Sequence, residues 1–212
     1  GMDGDDRPRS VDLALVPDNA YGPRDLGAYE LQSIGNLARN AAFDDDLHIW
    51  AEATPGISSW SPEDRSGSTT SGSIEIIDDS PAMRVTALTQ CIGIPGPALY
   101  RLSGWGYVSA NHGVGDVPIL AWYTFPNSAD CSGAAVDSGE LPISDDTTGW
   151  HPIGGQYVAV SPAEWTPNTS VLIQLVLQKG NDPLFPENGF GRFDDIALVP
   201  DSDVIFADGF DP

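Results

Sequence analysis

Basic residues are scarce in this chain. Its 212 residues contain 9 Lys and Arg against 31 Asp and Glu, a formal net charge of −22 at pH 7 with His neutral. A surface of this sign repels phosphate backbones and anionic lipid headgroups, so we expect no nucleic-acid partner and no membrane partner. Carboxylates are also the ligands that hard cations such as calcium prefer. The plainer interpretation is that the acidic residues keep an exported protein in solution.

Long apolar runs and helical periodicity are also missing. No run approaches the roughly 20 apolar residues that a membrane span requires, and no long segment repeats its apolar residues every 3.6 positions. Instead, 23 Gly and 18 Pro separate many short alternating segments. This pattern predicts an all-β fold, a two-sheet antiparallel sandwich with minor helix. We expect one domain over residues 31–200, an N-terminal extension over 1–30 with a possible extra edge strand, and a C-terminal tail over 201–212.

Cysteine is almost absent, since the chain has only Cys91 and Cys131. In a β-rich, Lys-poor chain two cysteines are typical of an exported protein with one disulfide, so we expect a secreted, periplasmic or cell-surface location. If the strands that carry them pair, the bond would close a loop of about 40 residues and contribute roughly 3–4 kcal/mol through chain entropy. The alternative is two buried free thiols in a cytosolic protein.

Catalytic motifs are missing as well. The sequence has no G-x-S-x-G elbow and no H-E-x-x-H metal motif. His48, His112 and His151 lie far apart along the chain. With 31 acidic residues a paired-carboxylate glycan hydrolase has candidates in principle, but nothing singles out one pair. We therefore expect a protein that is not an enzyme.

Two strand-like runs stand out between the cysteines. Leu99–Ser109 and Val117–Phe125 each alternate residue classes with a period of two, and the intervening segment is rich in Gly, Asn and Asp. Turn residues between alternating runs predict a β-hairpin.

The first of these runs carries an unusual set of side chains. Arg101, Trp105 and Tyr107 share one parity and predict a surface that recognises a sugar, because a pyranose stacks its C–H face on an aromatic ring and presents hydroxyls at its edge. Trp122 on the adjacent run is expected to join them. The alternative places Trp105 and Trp122 in the core, as is common for sandwich aromatics. Gln174 interrupts an apolar run and is expected to face a groove, because burial without partners would be costly.

Several segments, in their order along the chain, resemble the landmarks of β-jelly-roll carbohydrate-binding modules of the CBM4/9/22 type, within the galactose-binding-like sandwich superfamily. They are Asn40-Ala41-Ala42-Phe43-Asp44 followed by Trp50, Ser71-Gly72-Ser73, Tyr100-Arg101-Leu102-Ser103-Gly104-Trp105, Thr148-Gly149-Trp150, and Phe193-Asp194-Asp195-Ile196-Ala197-Leu198. The chain departs from the family pattern at Ala41, where Gly is usual, and at Asp44, where Glu is usual. The tail Ile205–Phe210 is similar to endings of exported bacterial proteins.

The resemblance implies a structural calcium that joins the opening segment to the last strand, with Asp44 as the residue carried over from the family's acidic position. The residues of the last strand support this calcium independently. Asp194 shares the parity of Ile196 and Leu198, and an inward carboxylate is costly unless it is paired or metal-bound. Asp195 is the other candidate. The alternative is an inward Asp satisfied by backbone N–H groups or by an arginine such as Arg192.

Together these observations predict a monomeric, non-catalytic, exported carbohydrate-binding domain. It would bind a polysaccharide or other glycan weakly, by aromatic stacking and edge hydrogen bonds. A jelly-roll scaffold for protein–protein contact or surface adhesion, with no sugar site, is the alternative, and a glycan hydrolase is the third.

Overall fold

The computed structural model describes residues 35–44, 46–109, 116–144, 147–180 and 189–201. The expected N-terminal extension, the tail after residue 201 and most of the turn between the two central runs lie outside the described residues.

Ten β-strands make up the regular structure of this part of the chain. They are β1 (Ala51–Glu52), β2 (Ser58–Ser61), β3 (Ser73–Asp78), β4 (Arg84–Gly93), β5 (Ala98–Val108), β6 (Val117–Phe125), β7 (Asp137–Pro142), β8 (Gly149–Val160), β9 (Ser170–Gln178) and β10 (Gly189–Pro200). No helix occurs in the described ranges, and so none there is long and apolar enough to cross a membrane.

The strands form two antiparallel sheets of five. The first sheet has the order β1-β4-β9-β6-β7 and the second the order β2-β3-β10-β5-β8. Alternate residues of each strand face the space between the sheets, where Leu120 and Ile173 of the first sheet join one buried cluster with Leu102 and Phe193 of the second. The predicted all-β sandwich is therefore confirmed.

The predicted hairpin between Leu99–Ser109 and Val117–Phe125 is wrong. β5 pairs with β10 and β8 in the second sheet, whereas β6 pairs with β9 and β7 in the first. Two glycines explain how β5 and β6 meet face to face instead of edge to edge. A Cβ on Gly104 would lie 3.2 Å from Leu120 Cδ1, and one on Gly106 would lie 2.9 Å from Pro118 Cβ.

Two strands lie in segments whose composition predicts loops. β2 falls within the Ser-, Gly- and Pro-rich residues 54–72, and β7 within the polar residues 126–149. Both are edge strands, in which one row of backbone groups is paired and little apolar alternation is needed. Because their residues are polar, these two strands show no hydrophobic periodicity that would predict them.

The expected disulfide is confirmed. Cys91 and Cys131 are bonded with their Cα atoms 5.8 Å apart and a sequence separation of 40. The bond does not join two paired strands, because Cys131 lies in the connection between β6 and β7. It ties that connection to β4.

A buried ion pair joins the sheets at one end. Asp78 ends β3 in the second sheet, and Lys179 follows β9 in the first. The Lys179 ammonium lies 2.8 Å from the Asp78 carboxylate, and both side chains are only 2% exposed.

Candidate functional site

The predicted sugar-binding residues do not form one site. Arg101, Trp105 and Tyr107 lie on the outer face of the second sheet, and Gln174 lies on the outer face of the first. Trp122 faces the core between them. The sandwich therefore separates side chains that the sequence suggested as neighbours.

The placement of Trp122 corrects its predicted role. Its side chain is 2% exposed, and a Cβ on Gly139 of the neighbouring strand would lie only 2.6 Å from its Nε1. The indole N–H has no hydrogen-bond partner. A ring held in this way cannot stack on a glycan, so the core alternative holds for Trp122.

Trp105 is half-buried and already has a partner. The guanidinium carbon of Arg65 lies 4.4 Å from the centroid of its ring. Asp195 holds that guanidinium in place, because its carboxylate accepts hydrogen bonds of 2.8 Å from Nε and 2.6 Å from Nη2. One face of the indole is thus occupied by a cation of the chain itself.

Tyr107 lies in a similar cluster on the same face. Trp150 approaches it edge-on at 5.3 Å between ring centroids, and the Arg192 guanidinium carbon lies 5.1 Å from its ring. Arg192 in turn donates hydrogen bonds to Glu63 and Glu75 at 2.5 and 2.7 Å. The interactions of this aromatic face are therefore largely internal to the protein.

A β-bulge overturns the parity argument for Asp194. The β10–β5 register shifts between Asp194 and Ala197, and Asp195 adopts a φ of 50° within the shift. As a result Asp194 pairs with Trp105 and shares its outer face, while Ile196 faces the core. Asp194 is nevertheless 0% exposed. The side chains of Asp194 and Ile196 are therefore both buried, but on opposite faces of the second sheet.

Backbone N–H groups satisfy the Asp194 carboxylate. The amide of Arg65 donates to it at 3.0 Å and the amide of Asp195 at 2.7 Å. Burial raises the pKa of Asp194 to about 7; these hydrogen bonds oppose the shift, and the charges of Asp195 and Asp64 add to it.

The other two predicted calcium ligands have different surroundings from Asp194. Asp195 pairs with Arg65, and Asp44 is exposed. Among the described residues, no three His, Cys, Asp or Glu side chains are placed to hold a metal ion together. The donors around Asp194 therefore match the backbone N–H alternative, although Arg192 is not among them.

The outer face of the first sheet has a different character. Ile119, Ala121 and Val176 form a small apolar cluster on this side, away from the main core, and Tyr123 packs against it. The strand register places Thr89, Gln174, Ala121 and Glu140 in one row across β4, β9, β6 and β7. We call this surface the groove face.

The groove face is concave along one diagonal. Arg84 of β4 donates hydrogen bonds to Glu140 of β7, although β9 and β6 lie between them. In a flat sheet three strand spacings and a four-residue offset would separate their Cα atoms by about 19 Å, farther than the two side chains reach. The sheet must curve so that these side chains converge over the apolar cluster.

Tyr123 and Gln174 are neighbours on the groove face. Gln174 pairs with Ala121, so Tyr123 is its diagonal neighbour, at about 7–8 Å between Cα atoms. Both side chains are half-buried. Gln174 was predicted from the sequence to face a groove. Tyr123 was not among the predicted residues, although strict alternation with the buried Trp122 places it on the outer face.

Comparisons with known proteins found similarity in solved structures alone. No family model matches the chain, and no curated protein matches it. The xylan-binding CBM22-2 domain of Paenibacillus barcinonensis Xyn10C is 13% identical, with 76% of this chain and 98% of that one covered and a TM-score of 0.46.

Two further structures are of the same kind. The CBM22-1–GH10 modules of Clostridium thermocellum xylanase 10B, complexed with xylohexaose, are 10% identical over 80% of this chain and 29% of that one, at a TM-score of 0.45. A CBM4 structure is 16% identical over 76% of this chain and 98% of that one, at 0.42. Each of these three structures contains a carbohydrate-binding module. At these identities and TM-scores the likeness is not evidence of function, and the fold is established by the strand pairing.

Proposed function

We propose that the chain is a non-catalytic carbohydrate-binding domain and that a glycan lies across the groove face. The observation that carries this proposal is that Tyr123, which packs against the apolar cluster, is the diagonal neighbour of Gln174 on the same face. A phenol ring offers the apolar face on which a pyranose stacks, and a primary amide both donates and accepts hydrogen bonds. Half-buried polar groups on a concave surface suit the hydroxyl groups of a sugar.

The dimensions of the groove face favour an internal stretch of a polysaccharide. The row that contains Gln174 continues through Thr89 to Ala51 of β1, so it crosses all five strands. Four strand spacings give a length of about 19 Å, which suits a short oligosaccharide segment. Because β1 and β7 are the edges of the sheet, the row is open to solvent at both sides of the sheet.

The test compares single variants on the two outer faces. Tyr123→Ala and Gln174→Ala remove the proposed contacts, and Tyr157→Ala is a matched control because Tyr157 is 44% exposed on the second sheet. Retention on soluble xylan, mixed-linkage β-glucan and galactomannan is measured by affinity electrophoresis. We expect Tyr123→Ala to weaken binding about tenfold, or about 1.4 kcal/mol, while the control matches the wild type.

Two results would contradict the proposal. Loss of binding in a Tyr157 or Arg101 variant, with Tyr123→Ala unaffected, would place the site on the second sheet. If the wild-type chain were retained by no glycan, the protein-contact scaffold would become the better hypothesis.

The predicted calcium stays a prediction. Its support is the buried Asp194 carboxylate, whose pKa of about 7 is raised by burial and by two neighbouring carboxylates, so a cation beside it would relieve an unfavourable charge. If calcium binds there, adding it to EDTA-treated protein will raise the Tm, and Asp194→Ala will abolish that rise. An unchanged Tm on adding calcium would contradict the calcium prediction.

Export also stays a proposal. Its support is the Cys91–Cys131 disulfide, because such bonds persist in oxidising compartments.

A further inference from the structure

The disulfide lies on the groove face. In the strand register Cys91 of β4 pairs with Leu172 of β9, and Leu172 pairs with Tyr123 of β6. Cys91, Leu172 and Tyr123 therefore form a row parallel to the row of Gln174 and two residues further along the strands. Cys131 is attached to this row from above, through its bond to Cys91.

The connection between β6 and β7 is fastened along its first part. Thr166 and Thr169 donate hydrogen bonds of 2.5 and 3.0 Å to the carbonyl of Pro126. The Ser170 hydroxyl donates to the carbonyl of Ser128 at 2.5 Å. These contacts draw residues 126–131 from β6 across the end of β9 towards β4.

The segment around Cys131 also holds its own shape. The Asp130 carboxylate accepts hydrogen bonds of 2.7 Å from both the Ser128 and the Ser132 hydroxyl groups. Cys131 itself adopts a φ of 58°, a backbone conformation that few residues other than Gly, Asn and Asp adopt readily. The local fold thus turns the backbone at the residue that is bonded to β4.

We propose that residues 126–136 form one side wall of the glycan groove and that the Cys91–Cys131 disulfide is the positioning device that holds this wall beside Tyr123. The inference rests on the proposed function of the groove face. The wall runs along the strand ends, parallel to the row of Gln174, so it borders a bound chain along its length and leaves both ends of the row open. The disulfide acts on the ligand through the wall and does not contact it.

The test replaces both cysteines together, by Cys91→Ala and Cys131→Ala. We expect at least fivefold weaker binding to whichever of soluble xylan, mixed-linkage β-glucan and galactomannan the wild type binds, with cooperative unfolding retained. Amide hydrogen exchange should rise in residues 126–136 and stay unchanged in β5 and β10. Ser170→Ala, which keeps the disulfide and loses one anchor, should give a smaller change in the same direction.

The matched control is Lys179→Met, which lowers stability without altering the wall. Its affinity, measured well below its Tm, should equal that of the wild type. Wild-type affinity in the cysteine double variant, or unchanged amide hydrogen exchange in residues 126–136, would contradict the proposal that these residues form a wall held by the disulfide. If the wild type binds none of the glycans, both the proposed function and the proposed wall are wrong. If the wild type binds and the cysteine double variant binds equally well, only the proposed wall is wrong.

Discussion

The buried pair of Asp78 and Lys179 gives the sharpest test of how the two sheets are held together. Lys179→Met keeps most of the side-chain volume and removes the ammonium group. The Asp78 carboxylate would retain its hydrogen bonds from the Ser80 amide and hydroxyl, both at 3.0 Å. The carbonyl of Ser80 would lose the 2.5 Å hydrogen bond that Lys179 donates.

The expected loss follows from burial. Both side chains are 2% exposed, and removing one partner of a buried ion pair leaves an uncompensated charge, which costs about 3–5 kcal/mol. For a chain of this size that corresponds to a Tm lowered by about 10 °C. Asp78→Asn combined with Lys179→Met should be more stable than Lys179→Met alone, because the buried carboxylate that lost its ammonium partner is then removed as well.

The pair also predicts a pH dependence. Burial raises the pKa of Asp78, but hydrogen bonds from Lys179 and Ser80 and the charge of Lys179 outweigh it, so the pKa lies below its ordinary value. A lowered carboxyl pKa contributes stability above the unfolded-state pKa of about 4, and this is lost as the pH falls through the folded-state value. The difference between wild type and Lys179→Met should therefore be largest near neutral pH and shrink in acid.

Urea denaturation of the four members of this double-mutant cycle at pH 7 and pH 3.5 measures both effects. Wild-type stability in Lys179→Met would refute the reasoning. So would a double variant that is no more stable than Lys179→Met, because the loss would then come from something other than the unpaired carboxylate.

Three further predictions concern other parts of the fold. Cys91→Ala with Cys131→Ala should lower the free energy of unfolding by about 3–4 kcal/mol through the released chain entropy; a loss below 1 kcal/mol in urea denaturation would contradict this. Gly139→Ala should destabilise by more than 1 kcal/mol, because its Cβ would lie 2.6 Å from the Trp122 indole, and thermal unfolding would show no shift if that contact could relax. The pKa of Asp194 is raised to about 7, so the folded state is favoured when this carboxyl is protonated, and the stability it contributes falls as the pH rises towards 7. In EDTA the Tm of Asp194→Asn relative to wild type should therefore rise from pH 5 to pH 8. A difference in Tm that does not change with pH would contradict the raised pKa.

One β-bulge explains why the face predicted for Asp194 is wrong. Strict alternation along β10 places Asp194 on the same face as Ile196, but the β-bulge at Asp195 lies between them and puts them on opposite faces. A residue with positive φ within an Asp-Asp pair leaves almost no trace in hydrophobic periodicity. The pattern therefore placed the Asp194 side chain on the core face of the second sheet, whereas it lies on the outer face.

The grouping of Trp105 with Trp122 and Gln174 on one surface was wrong for a different reason. Trp105, Trp122 and Gln174 each satisfy a local criterion, an aromatic ring in a mixed run or a polar residue in an apolar one. Whether two such residues share a surface depends on which sheet each strand joins. The local sequence pattern does not decide this, because turn residues between two strands are compatible both with a hairpin and with a connection that crosses from one sheet to the other.

The sequence by itself determined the strand class, the bounds of β6, the sandwich architecture and the presence of the disulfide, because period-two alternation, turn residues and cysteine count are local properties. Only the tertiary structure decided that β5 and β6 face each other across the core, that Arg65 covers Trp105, and that Tyr123 lies beside Gln174 on a concave face. These depend on contacts between residues far apart in the chain, such as Arg65 with Asp195 and Arg84 with Glu140. Packing selects such contacts from many that the sequence pattern allows equally.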